Sequence, residues 1–79
     1  MNFEKIECKG AFYDDYYETV FYEFCTVPEI DGGNWAISRD GDSAFNLLSE
    51  QVTQSGFPIE LMQLIEHIPA DIKIEGLEN

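Results

Sequence analysis

The side chains of this 79-residue chain that could act on a substrate are one histidine, two cysteines and sixteen carboxylates. General acid–base chemistry favours a positioned imidazole, and a Ser-His-Asp or Cys-His arrangement needs one beside its nucleophile. The single histidine, His67, falls near the C-terminus of an expected helix, where the dipole favours a positive ring. Cys8 and Cys25 lack CxxC spacing, and no pair drawn from Cys8, Cys25 and His67 has the spacing of zinc ligands. Carboxylate pairs can hydrolyse glycosides. With sixteen acids, however, suitable spacings arise by chance.

Two turns have some look of ligand loops. "DGDS", residues 40–43, starts as a calcium loop does, but counting from Asp40 the fifth position is Ala44 and the twelfth is Gln51 rather than Glu. "IDGGN", 30–34, has neither GxxxxGK nor GxGxxG spacing and reads as a turn. The expectation is a protein that is not an enzyme and takes no metal or cofactor.

Binding chemistry is better represented. "GAFYDDYYETVFYEF", 10–24, holds all four tyrosines, three of six phenylalanines and four acids, with no base. Val20, Tyr22 and Phe24 alternate as a buried face would. Tyr13, Tyr16 and Tyr17 instead flank Asp14 and Asp15, with Glu18 following. Tyrosine supplies rigid contact area with a polar tip. Next to carboxylates it makes a receptor for Arg and Lys, the acid taking the charge and the ring the guanidinium face. Glu29, Asp31, Asp40 and Asp42 add acids in two turns that flank the Trp35 segment. The expected partner-binding residues are therefore Tyr13, Asp14, Asp15, Tyr16, Tyr17, Glu18, Glu29, Asp31, Asp40 and Asp42. The competing expectation is that the tyrosines roof a small core, with their hydroxyls in water.

Net charge sharpens this. Sixteen acids against Lys5, Lys9, Arg39 and Lys73 give −12 at pH 7. That exceeds the magnitude of about 2 to 8 that suits a small domain, and the surplus repels itself. Four scattered bases cannot build a phosphate-binding patch, so direct nucleic-acid binding and anionic membranes are disfavoured. A strongly positive partner surface is the natural counterpart. No apolar run is long enough for a membrane span, and no basic segment leads into an apolar one. The two cysteines read as free thiols, which makes a reducing cytoplasm the expected setting.

The elements that must position these groups read as one domain, 1–79. Residues 2–9 alternate as a strand, and 11–16 read as a loop. Residues 17–27 carry the densest β-branched and aromatic run, a central strand. A Pro- and Gly-rich turn at 28–34 leads to a strand at 35–39. In "AFNLLSEQVTQ", from Ala44, residues Phe45, Leu48 and Val52 follow i, i+3, i+7, which predicts a helix with Asp42 or Ser43 as N-cap. In "PIELMQLIEHI", from Pro58, the stripe Leu61, Leu64, Ile65 and Ile68 predicts a second helix. "DIKIEGL", 71–77, alternates as a last strand. The order β-β-β-α-α-β predicts an α+β fold: a small antiparallel sheet of about four strands with two helices packed on one face.

A very small, strongly acidic, tyrosine-bearing chain of this kind resembles phage-encoded DNA-mimic inhibitors, the anti-CRISPR proteins. The segment "GGNWAISRDGDSAFNLL", 32–48, looks like the strand–acidic turn–helix unit of some of them. The resemblance implies a monomer or dimer without cofactor that binds the basic nucleic-acid surface of a CRISPR effector subunit in the bacterial host's cytoplasm. The alternative is an acidic immunity protein or antitoxin capping a basic nuclease toxin. An enzyme using a carboxylate pair, or an acidic housekeeping protein, are the remaining classes.

Overall fold

The computed structural model describes residues 3–31 and 33–77. Alternation in the first segment produces strand β1, Lys5–Asp14, with a register shift between Cys8 and Gly10. The aromatic run forms β2, Thr19–Val27, paired antiparallel to β1. The chain continues as a meander: β3 (Trp35–Ser38), β4 (Ala44–Asn46) and β5 (Gln51–Thr53). A one-turn helix α1 (Leu61–Leu64) and a 3-10 turn (Ile65–His67) follow. The last strand among the described residues is β6 (Ile74–Glu75), which lies parallel to β1 at Ala11 and Phe12. Sheet order is β5-β4-β3-β2-β1-β6.

The fold is therefore a six-stranded mixed sheet with one short helix, and the expected α+β architecture of four antiparallel strands and two helices is wrong. The largest error is the helix expected from Ala44, which is the β4–β5 hairpin. Asn46 Oδ1 accepts from the N–H groups of Leu48 (2.8 Å) and Ser49 (3.1 Å), and Glu50 N–H donates to the Asn46 carbonyl at 2.7 Å. A side chain that captures the backbone in this way competes with helix. Phe45 then pairs across to Val52, while Leu48 projects into solvent, 81% exposed. The i, i+3, i+7 stripe was never on one surface. Ser43 caps no helix either: its N–H donates to Ser38 Oγ at 3.1 Å, and its carbonyl accepts from Ser38 N–H at 3.0 Å. The strand–turn–helix reading of 32–48 thus becomes strand–turn–strand. The expected loop at 11–16 is also mostly strand, since β1 runs to Asp14. Asn2 and Gly32, at the edges of expected elements, lie outside the described residues.

β2 sits at the centre with both faces covered. On one face Ala11, Tyr22, Phe24, Trp35, Ile37 and Ala44 pack under Leu61 and Leu64 of α1. On the other, Phe12, Phe21 and Phe45 pack mutually, with ring centroids 5.6 to 6.0 Å apart. β1 and β4 are three strand spacings apart, about 14 Å in a flat sheet. Phe12 and Phe45 nonetheless meet at 5.6 Å, so the sheet curls over this second face. Phe21 lies in the hollow with 0% exposure.

Cys8 pairs with Phe24 and Cys25 with Glu7, which sends the two free thiols to opposite faces. Facing side chains share a face in an antiparallel pair, so this register keeps the thiols apart.

Candidate partner-binding surface

The β1–β2 connection is built by Asp14. Its Oδ1 accepts from the N–H groups of Tyr16 (2.9 Å) and Tyr17 (3.1 Å), which closes the turn with the carboxylate itself. The two rings meet edge to face at 4.8 Å. Tyr16, 83% exposed, is no roof over the core, while Tyr17, 39% exposed, is partly covered. Asp15 and Glu18 are exposed beside them. Tyr13 differs: it lies in β1, half-buried, paired with Val20 and close against Gly76 after β6.

Asp40 and Asp42 lie in the β3–β4 turn. Asp40 Oδ1 accepts from Ser38 Oγ at 2.8 Å and from Asp42 N–H at 3.1 Å. The Ser38 hydroxyl first, then the Asp42 amide, hold the Asp40 carboxyl below the usual aspartate range. Both bonds favour the ionised form. This contribution to stability is therefore present above the unfolded-state pKa and is lost as pH falls through the lower folded value. An NMR titration is expected to place the Asp40 midpoint below an ordinary aspartate, and Ser38→Ala to move it up. An unchanged midpoint in that variant would remove the hydroxyl from the explanation.

In a meander the β1–β2 and β3–β4 connections fall at the same end of the sheet. Asp14, Asp15, Glu18, Asp40 and Asp42 thus share one end, with Tyr16 and Tyr17. Glu29 and Asp31 lie at the opposite end. There the Asp31 carbonyl accepts from Trp35 Nε1 at 2.9 Å, and Glu29 faces Leu47 and Leu48 across a shallow cleft. The ten expected residues are therefore divided between two ends.

Sheet curl adds residues the sequence reading missed. Asp14, Tyr16 and Tyr17 line an open cleft of about 440 Å³ together with Phe45, Glu50, Gln51 and Val52. Glu50, expected on a helix, is at the end of the Asn46 turn with φ 58°, and Glu18 has φ 54°. A left-handed residue with a Cβ costs roughly 1–2 kcal/mol relative to the right-handed form. Glu18→Gly and Glu50→Gly are each expected to raise stability in urea unfolding, by up to about 1 kcal/mol. Equal or lower midpoints would show that these backbones are not strained.

One cation, Arg39, shares this end through the β3–β4 turn. The Arg39 guanidinium carbon lies 4.9 Å from the Tyr22 ring centroid, and Arg39 shares a groove with Asp40, Thr19 and Val20. Among the described residues the one ion pair is Lys5–Glu7 at 3.8 Å, well exposed on both sides and worth little. Comparison with protein-family models, with curated proteins and with solved structures finds no match to this chain. Among the described residues no group of three or more His, Cys, Asp or Glu is placed to hold a metal, and no helix is long and apolar enough to cross a membrane. His67 is exposed in the 3-10 turn.

Proposed function

We propose that this protein is a non-enzymatic inhibitor that mimics DNA and occupies the basic nucleic-acid-binding surface of a bacterial defence complex, such as a CRISPR effector subunit, in the host cytoplasm. The observation that carries this reading is the acidic end of the sheet. Five carboxylate residues on two neighbouring turns stand beside two exposed tyrosines, in a chain of net charge −12. Rim charges of this kind speed encounter, and desolvated aromatics set residence time.

The test is a competition experiment with a purified DNA-free effector complex. Binding is expected to weaken as salt rises and to be displaced by target DNA. If the protein binds equally well beside saturating DNA and at high salt, the proposal fails. Tight binding to a basic nuclease toxin, with none to the effector, would move the same surface to the immunity-protein reading.

A further inference from the structure

We infer that the cleft between the β1–β2 turn and the β4–β5 hairpin receives an arginine side chain of the protein partner. This deepens the inhibitor reading and depends on it for the partner's nature, but the cleft's chemistry can be tested without that partner.

The cleft joins two kinds of group that guanidinium needs. Tyr16 and Tyr17 supply exposed ring faces and edges on one wall. Asp14 and Glu50 add two acids to the lining, and Phe45 and Val52 add apolar surface for the methylene stem. Asp14 commits Oδ1 to the turn amides, which leaves Oδ2 outside those bonds. No cation is among the lining residues. A planar cation can stack on a tyrosine face while its N–H fork meets a carboxylate, a combination that the compact ammonium of lysine matches less well.

The molecule contains its own example of the ring half of this recognition. Across the same end of the sheet, Arg39 stacks over Tyr22 beside Asp40, in the groove also lined by Thr19 and Val20. The tyrosine cleft offers two rings with two acids among its lining, but its arginine must come from another chain. Charge complementarity therefore selects a guanidinium-bearing protein surface as the occupant.

The experiment titrates isotope-labelled protein with an arginine homopeptide and a lysine homopeptide of equal length, read by amide and tyrosine-ring NMR shifts. Shifts are expected to concentrate at residues 14–18 and 50–52, with arginine binding about threefold to tenfold tighter than lysine. Tyr16→Ala with Tyr17→Ala should erase that preference. Asp14→Asn with Glu50→Gln, which keeps an Oδ1 acceptor for the turn, should weaken arginine binding about tenfold, the scale of one charge-assisted contact. Glu29→Gln with Asp31→Asn makes the same charge change outside the cleft lining and should weaken it much less. Tyr16→Ala alone, at a solvent-facing ring, serves if the double tyrosine variant loses its native spectrum. Equal arginine and lysine affinities, shifts spread over all acids, or equal losses in the two charge variants would overturn the inference. Those results would leave DNA-competed effector binding standing. Loss of that competition with the arginine preference intact would instead remove the inhibitor reading.

Discussion

Phe21→Ala is expected to lower the unfolding free energy by about 3–5 kcal/mol, the range for truncating a well-packed aromatic. The site cannot relax easily. Phe21 has 0% exposure and is wedged between Phe12 (5.7 Å) and Phe45 (6.0 Å) in the hollow of the curled sheet. It is also on β2, which pairs on both sides, so the strand cannot move inward to close the cavity. For a domain whose total stability is of order 5–15 kcal/mol, this loss moves the urea midpoint far toward zero. Leu48→Ala is the matched control. Its side chain is almost wholly in solvent, and the expected change is within about 0.5 kcal/mol. A loss below about 1 kcal/mol at Phe21 would mean that the second face is not packed, and with it the curl that assembles the tyrosine cleft.

Leu61→Ala is expected to cost about 2–5 kcal/mol. Helix α1 is four residues long and has no side-chain cap. A single turn does not hold itself in water, because nucleation is unfavourable and few bonds follow. Its conformation is therefore imposed by Leu61 and Leu64, both fully buried against the sheet. Removing either anchor releases the covering layer as well as leaving a cavity. Gln63→Ala, on the exposed side of the same turn, should be close to neutral. Far-ultraviolet dichroism would change little, since so few residues are helical. The reading should come from denaturant midpoints and from amide exchange at Tyr22 and Ile37 beneath the helix. A Leu61 variant as stable as Gln63→Ala would show that the helix is an ornament on a self-sufficient sheet.

Sequence reasoning reached β2 because both of its faces are apolar, a property visible residue by residue. It reached β3 as the hairpin partner that follows the Pro- and Gly-rich turn, with Trp35 and Ile37 inward, and it recovered the buried positions of α1 from Leu61 and Leu64. It failed at β4 and β5 because three-residue strands are too short to display alternation. Phe45, Leu48 and Val52 happen to lie at helical spacing across a turn. The deciding signal was Asn46, whose carboxamide takes two backbone N–H groups. An Asn four residues before a left-handed Glu is easy to pass over when apolar residues surround it. At the binding surface, Tyr16 and Tyr17 were legible as exposed because they adjoin Asp14 and Asp15 in a turn. Tyr13 was misplaced because β1 runs on to Asp14, past the strand expected at 2–9. Glu50 could not be joined to the tyrosines from sequence, since their proximity depends on sheet curl, which no local pattern encodes.

The two thiols make this sheet self-reporting. Cys8 lies under the helical layer, where burial pushes its thiol above the ordinary cysteine value, while Cys25 opens toward the phenylalanine side. An alkylating reagent therefore meets two separate clocks. Lifting the helix quickens the Cys8 clock, while the Cys25 clock reports on the opposite face. Their relative rates tell which layer of the protein lets go first.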